Sequence, residues 1–575
     1  MKARSDDRIQ RLRRATRSIP REIVRRLLGG PSAGPGAPPE PADRTARRTL
    51  RKARAALRDG DPRQALELAD EVLREYPDEP AAYLVRYMSL SRLGALTDSL
   101  AALERLRMLD AWTPELAWAE ALVAGRLAET TPGWLPRLAG PPATLEPADP
   151  ALILHLLKSS APESQSGYTL RSQYSLLSQR AAGLNPVAVT SLGFPRRTMT
   201  ADPSHEIPAV ELVDGIEHYR LDAGPDYPYD GPADRVLVDT VALLEPLVRR
   251  LRPAVLQAHS GYRGYENALV ALALGEHFGI PVVYEVRGFL EAIWSVDAGT
   301  SEADGLVSEQ SERRSATEVR CMLAADAVVT IAETMRDEIA GRGVPAGRVH
   351  VIPNGVDVEA FTPSPPDPEL RERYHLPIGR PMIGYISTLD HPREGVEVMI
   401  GATAALRRRG RLVSCLVVGE GRRRKALEEL ADRQGVSDLV VFTGQVPHRE
   451  IAAHYALLDV FVVPRRDDRA ARFVTPLKPF EAMAMARPLI VSELPALMEL
   501  IADPIEPRGL AFPIDDPDGL ATAIERLIDD PALARRLGEA GRTWVAAERT
   551  WAANGPRYRA VYDEVLERFS NVAAG

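Results

Sequence analysis

"ADAVVTIAETMRDEIAGRGVPAGRVHVIPNG", Ala325 to Gly355, holds two short apolar runs with an amphipathic stretch between them. "DAVVTIAE" and "RVHVIPNG" are uninterrupted apolar runs of strand length, and "TMRDEIAGRG" repeats its apolar residues at helical spacing. Strands that stay apolar on both faces belong to parallel sheets covered by helices on both sides, and parallel neighbours need a helical crossover. The stretch is therefore one strand–helix–strand unit of a doubly wound sheet.

The same grammar extends in both directions. Upstream lie "ALILHLLKSS", "NPVAVTSLG", "AVLQAHS" and "IPVVYEVRG". Downstream, after the Pro-rich joint "TPSPPDPE", come "RPMIGYIST", "LVSCLVVGEG", "LVVFTGQV", "DVFVVPRR", "RPLIVSE" and "GLAFPID". Two such series on a short joint imply an α/β chain with two Rossmann-like, doubly wound domains, and ligands bind beyond the carboxyl ends of such strands. A cleft between the two domains is the expected site. The domains are placed at residues 150–355 and 376–547, with a closing helix at 548–575.

The N-terminal part differs. From Thr45 to Leu138 the pattern is helical, and Gly94 follows Gly60 by 34 residues, the period of a tetratricopeptide repeat. Residues 45–140 resemble a short array of that kind; a plain helical bundle is the other reading, and both describe a packing or docking module. Residues 1–44 form a basic arm and linker. The first thirty residues carry ten Lys or Arg against three Asp or Glu, and "PREIVRRLLGG" (Pro20 to Gly30) is a short basic amphipathic piece. Such a piece rests on anionic lipid or remains a solvated arm. "GGPSAGPGAPPEPA" (Gly29 to Ala42) is a linker.

The totals exclude several classes. At 575 residues, 45% hydrophobic and 26% charged, the chain has the balance of a globular protein with about three domains. A net charge of −8 speaks against nucleic acid as the partner. Two cysteines, Cys321 and Cys415, exclude a disulfide scaffold and fit a reducing cytosol. No apolar run approaches a membrane span. The expected location is cytoplasmic, with peripheral contact at the inner membrane face through the arm.

One further stretch carries the chemistry. "TPLKPFEAMAMARPLIVSE", Thr475 to Glu493, sets Lys478 and Glu481 three apart where a loop becomes a helix. A helix start presents free N–H groups and suits a phosphate, Lys478 adds a full charge, and Glu481 is placed to accept from sugar hydroxyls. An ordinary capped helix is the plainer reading of the spacing alone.

Taken in order, "ADAVVTIAETMRDEIAGRGVPAGRVHVIPNGVDVEAF", "VVGEG", "FTGQVPHREIAAHYALLDVFVVPRR" and "VTPLKPFEAMA" resemble family 4 retaining glycosyltransferases of the GT-B fold, from about Leu152 to the end. "SGYTLRSQY" and "YEVRGF" resemble members acting in polysaccharide or glycolipid assembly. The resemblance implies a nucleotide-sugar donor, a glycan or lipid-linked acceptor, and neither cofactor nor metal. It implies that the N–H groups of Val474, Thr475 and Leu477 cradle the diphosphate, Lys478 neutralises the leaving group, and Glu481 holds the ribose. Gly419 and Gly421 fall on the donor side; Ser166, Gly167 and Tyr168 form the acceptor-side loop. Arg287 stands where many relatives have a histidine, and His259 follows a strand in the first series.

There are departures. Arg472 or Phe473 replaces the family's first glutamate, and Thr388 and Glu394 fall where a basic pair is usual. Arg393 is either the substitute or an exposed side chain. "DDPD" and "RRDD" look like metal-binding pairs but read better as a helix cap and as carboxylates partnered by arginines. A scaffold acting through its helices, with an impaired transferase module, is the alternative function; an epimerase of the same architecture is a remoter one.

Overall fold

The computed structural model describes residues 43–197, 206–291, 294 and 305–574. The basic arm and almost all of the linker, with the membrane contact expected of them, lie outside the described residues. Fourteen strands are described, numbered here in chain order: β1 Leu152–Leu157, β2 Asn185–Thr190, β3 Val210–Val213, β4 Ile216–Arg220, β5 Val255–His259, β6 Val282–Val286, β7 Ala327–Thr330, β8 Val349–Val351, β9 Met382–Ile386, β10 Ser414–Val418, β11 Val440–Phe442, β12 Val460–Val463, β13 Leu489–Ser492 and β14 Gly509–Phe512. They form two sheets, of order β3-β4-β2-β1-β5-β6-β7-β8 and β11-β10-β9-β12-β13-β14.

Each expected apolar run is a strand. In the second sheet every pairing among the described residues is parallel, and the strands are buried end to end except at the sheet edges. The hairpin β3–β4 is an addition to the expected series. Its antiparallel register pairs Val213 with Ile216 across Asp214 and Gly215, both at positive φ (50° and 76°), as an Asp-Gly hairpin turn requires.

Contacts gather the described chain into two units. The first holds the residues up to Ser159, with Val187–Glu285 and Phe289–Asp326; the second holds Ser160–Pro186, Val286–Gly288 and the chain from Ala327 onward. In the first unit, five helices precede the sheet: Arg44–Asp59, Pro62–Glu75, Pro80–Leu93, Leu96–Met108 and Pro114–Glu129. Asp43 caps the first by accepting from the N–H groups of Thr45 and Ala46 at 2.7 and 2.9 Å. Gly60 and Gly94, at φ 89° and 73°, close the first and third helices in the left-handed conformation. Their alanine-rich contact faces share one core, which includes Ala53, Ala65, Ala69, Ala81 and Leu103.

This helical region is fastened to the rest of its unit by polar contacts. Both carboxylate oxygens of Glu309 accept from Thr97, at 2.8 Å from its N–H and 2.6 Å from its hydroxyl. Glu129, 1% exposed, accepts from Arg263 at 2.8 Å and from the Tyr265 hydroxyl at 3.0 Å. Burial raises the pKa of the Glu129 carboxyl, and Arg263 opposes that rise.

In the second unit the last helix, Asn554–Ala574, packs on the helix Gly167–Ala181. The Tyr558 hydroxyl lies 3.3 Å from Ser175 Oγ, and Arg559 donates to the carbonyls of Ala182 and Gly183 at 3.0 Å. Among the described residues no helix is long and apolar enough to cross a membrane.

Candidate active site at the switch point of the second sheet

From β9 the chain moves outward to β10 and β11, then returns to the other side of β9 as β12. Such a reversal opens a crevice at the carboxyl ends of the two central strands. The loops that follow β9 and β12 bound it, and they are stitched together by backbone. Arg466 N–H donates to the Arg393 carbonyl at 2.9 Å. A Cβ at Gly395, where φ is 68°, would lie 1.8 Å from the Pro464 oxygen. Gly395→Ala should therefore cost about 2–4 kcal/mol through overpacking and left-handed backbone. An unchanged denaturant midpoint for the full chain would refute that contact.

Beneath the crevice lies a buried charge cluster. Arg465, directly after "VFVVP", places Nη2 3.3 Å from Glu394 Oε1, and the Tyr385 hydroxyl donates to Glu394 Oε2. Burial raises the pKa of the Glu394 carboxyl, but the Arg465 charge and the Tyr385 hydrogen bond outweigh it and leave the group below its ordinary value. Arg465 also donates to the Val474 carbonyl at 3.4 Å, so it braces the donor loop. Arg393 is a lesser neighbour. Its Nε lies 3.5 Å from Glu394, its Nη1 3.9 Å from Asp468, and its side chain is 27% exposed.

The donor loop ends at the helix Lys478–Ala484. Lys478 Nζ lies 3.2 Å from Glu481 Oε2, which also accepts from the Tyr455 hydroxyl at 2.8 Å. Glu481 is 5% exposed, whereas the Lys478 side chain is 29% exposed. Burial first, and then the Glu481 charge, pushes the Tyr455 hydroxyl well above its ordinary range, so it remains a donor. One carboxylate is thus gripped from the core by a tyrosine and from the open side by a lysine. In the free protein the two charges hold each other, and an anion arriving at the loop competes with Glu481 for Lys478.

The backbone of that loop needs one correction. Val474 N–H already donates to Ala470 O at 2.9 Å, closing the short helix Arg469–Phe473, so it is not available to a diphosphate. Thr475 and Leu477 have no acceptor for their N–H groups among the described residues, and the buried Thr475 Oγ1 has no partner there either. The loop is held from behind by Asn354 of "IPNG". Its Nδ2 donates to Thr475 O at 2.8 Å, and its Oδ1 accepts from Arg171 at 3.0 Å.

Residues 167–355 match the model for the glycosyl transferase 4-like domain, and residues 380–530 match that for glycosyl transferases group 1. A GDP-mannose-dependent alpha-mannosyltransferase of Mycolicibacterium smegmatis is 30% identical over 379 residues, which cover 65% of this chain and 89% of that protein. The chain belongs to the group 1 glycosyltransferases. A GDP-mannose-dependent alpha-(1-6)-phosphatidylinositol monomannoside mannosyltransferase of the same organism is 33% identical over 236 residues. That match covers 40% of this chain and spans 61% of the relative's own length. A sucrose-phosphate synthase from Thermosynechococcus elongatus shares the fold, with a TM-score of 0.57 at 24% identity, over 72% of this chain and all of that one. The two parallel-sheet domains are of the GT-B type.

The other candidate residues are held in several ways. Arg287, just after β6, donates from Nη1 to Tyr168 O at 3.1 Å and to Ser172 Oγ at 2.7 Å, and its guanidinium lies 4.5 Å from the Tyr168 ring centre. It holds the loop in which Ser166 caps the helix Gly167–Ala181. A Cβ on Gly167 would come within 3.5 Å of Leu477, so the acceptor-side and donor-side loops meet within one unit. His259 belongs to the other unit. It is 1% exposed, with Nε2 2.9 Å from His155 Nδ1 and Nδ1 3.5 Å from Glu285.

Gly419 and Gly421 are accounted for by packing. A Cβ on the first would lie 1.9 Å from Ser387 O, and on the second 2.3 Å from Leu389 C. Of the carboxylates in "RRDD", Asp467 pairs with Arg472, and Asp468 accepts from Ala471 N at 2.6 Å. Asp516 caps the helix Pro517–Asp529, accepting from the N–H groups of Asp518 and Gly519. Among the described residues no group of three or more His, Cys, Asp or Glu is placed to hold a metal.

Proposed function

We propose that this glycosyltransferase binds a nucleotide-sugar donor at the β9–β12 crevice and passes the sugar, with retention at the anomeric carbon, to a glycan or lipid-linked acceptor. The observation that carries the reading is the Lys478–Glu481–Tyr455 grouping beside the uncommitted N–H groups of Thr475 and Leu477. The diphosphate takes those N–H groups and Lys478, and Glu481, released from the lysine but still held by Tyr455, accepts from the ribose hydroxyls. In the transfer step the bond from the anomeric carbon to the phosphate oxygen breaks, and its electron pair leaves with the diphosphate. The acceptor oxygen bonds to that carbon from the same face and passes its proton to the departing phosphate. Lys478 stabilises the charge that develops there.

Both mannosyltransferases reported above are named as GDP-mannose-dependent, so GDP-mannose heads the donor panel. The nucleotide sugar is a substrate, and the reading requires neither cofactor nor metal; turnover should persist in excess EDTA. Loss of activity there, restored by manganese or magnesium, would overturn the metal-free reading. Glu481→Gln should weaken the donor by roughly 1.5–3 kcal/mol, the worth of a charged hydrogen bond, as titration calorimetry would read it. Unchanged affinity would return Glu481 to a structural role.

A second reading, a nucleotide-sugar-binding scaffold, is favoured by Arg472. Arg472 or Phe473 stands in place of the family's first glutamate, and Arg472 is tied to Asp467. That reading predicts donor binding with no turnover on any acceptor. In either case the tetratricopeptide-like helices are proposed to dock a protein partner, and the basic arm to place the enzyme peripherally at the inner membrane face. Deleting residues 1–42 should then abolish sedimentation with anionic vesicles and leave turnover on a soluble acceptor unchanged.

A further inference from the structure

Within the first unit, the helices Pro114–Glu129 and Ala233–Leu251 and the loops after β2 and β5 border a cavity of about 140 Å³ lined by four arginines. Arg126 comes from the helix Pro114–Glu129, Arg197 from the chain after β2, Arg263 from the turn after β5, and Arg314 from the helix Glu309–Ala324. Two of them have carboxylate partners. Arg197 lies 2.6 Å from Asp230, and Arg263 lies 2.8 Å from Glu129. The guanidinium groups of Arg126 and Arg314 make no hydrogen bond or close ion pair among the described residues, and Glu129 acts on them only at longer range.

Two nearby carboxylates are already committed, and a third, Asp234, lies against Gly125 with a buried Oδ1 that has no hydrogen-bond partner among the described residues. Both oxygens of Glu266 accept from Arg263 N–H, at 2.8 and 2.9 Å, and Glu129 is held by Arg263 and Tyr265. Arg126, Arg263 and Arg314 thus lie close enough for the charges to repel one another, with Glu129 opposing that repulsion. Burial, followed by the charges of Arg314 and Arg263, draws the Arg126 pKa down to about 10. Collecting like charges in a partly buried place works against folding, and a bound anion reverses the sign of that contribution.

The rest of the wall is suited to a polyol. Ser191 directly follows β2, and its hydroxyl lies 3.3 Å from Asn267 Oδ1. Tyr262, three residues beyond the end of β5, carries the Arg197 guanidinium 4.8 Å from its ring centre and so fixes that arginine in the wall. Both residues stand at carboxyl ends of parallel strands, where open α/β sheets bind ligands.

We propose that this cavity binds the phosphate of a phosphorylated sugar or polyol, with Arg126 and Arg314 forking its oxygens. Guanidinium groups match phosphate geometry in this way. The site is separate from the donor crevice, and it exists only because the helical region contributes Arg126.

Titration calorimetry on the full chain tests it with glucose 6-phosphate, glucose, and phosphatidylcholine vesicles carrying phosphatidic acid. Glucose 6-phosphate should bind and glucose should not. Arg126→Gln and Arg314→Gln should each weaken that binding roughly tenfold or more, about one charged hydrogen bond. Nucleoside diphosphate binding should stay unchanged in both variants, which separates this site from the donor reading. Each variant should melt at or above the wild-type temperature, because one of two repelling cations is gone; an arginine with a structural role would lower it. Vesicle binding that needs both arginines, without a response to glucose 6-phosphate, supports the same phosphate chemistry with a lipid head group as its source. Absence of binding to either probe, binding that both variants retain, or a lowered melting temperature overturns the proposal.

Discussion

Lys478→Ala should reduce turnover by roughly a hundred- to a thousandfold, about 3–4 kcal/mol of transition-state stabilisation, the usual consequence of removing one group aimed at developing charge. The structure says why folding should survive. The Lys478 side chain is 29% exposed, its ammonium group lies 3.2 Å from Glu481, and that carboxylate keeps the Tyr455 hydroxyl when the lysine is gone. Free nucleoside diphosphate should bind somewhat less well, but the larger effect falls on the step in which the diphosphate leaves. Single-turnover rates with a saturating donor isolate that step. A variant within about threefold of wild type would remove Lys478 from the chemistry.

Glu394→Ala should be the most destabilising substitution near the site, at about 3–5 kcal/mol, because it strands Arg465 without its carboxylate. Glu394 is 6% exposed and the Arg465 side chain 13%. The pair also sets a pH dependence. The folded carboxyl titrates below its ordinary value of 4.5, so its stabilisation is complete above that value and is lost as pH falls through the lower folded value. Glu394→Gln keeps a partner for Tyr385 and removes the charge. Its melting temperature should trail wild type at neutral pH and converge with it in acid. A gap that stays constant down to strong acid would show that charge is not what the pair contributes.

The strands were legible because their signal is local. Runs such as Val460–Val463 and Leu489–Ser492 are apolar on both faces, and only a covered parallel sheet accommodates that. The β3–β4 hairpin had a local signal too, Asp214-Gly215, but β3 has no buried residue and the buried face of β4 carries His218 and Arg220 rather than an apolar run. The importance of Arg465 was not legible. Read along the chain, it belongs with the carboxylates of "RRDD", yet its partner is Glu394, 71 residues earlier and brought near only by the return to β12. The commitment of Val474 N–H was equally hidden, since it depends on a five-residue helix whose only announcement is the cap at Asp468. What Arg287 touches, Tyr168 and Ser172, follows from topology rather than from spacing.

Asn354 gives the donor loop a clock. An Asn-Gly step ages when the glycine nitrogen attacks the asparagine side chain, releasing ammonia and leaving aspartate or isoaspartate. Here both ends of the Asn354 amide are held, by Thr475 O and by Arg171, and the side chain cannot turn onto Gly355 while those bonds last. The lesion therefore forms only in moments when the loop lets go. Once formed it is permanent, because an acid oxygen then faces the Thr475 carbonyl where an N–H had been. The amount of isoaspartate at position 354, read by mass spectrometry on stored protein, counts those openings, and a bound donor that steadies the loop slows the count.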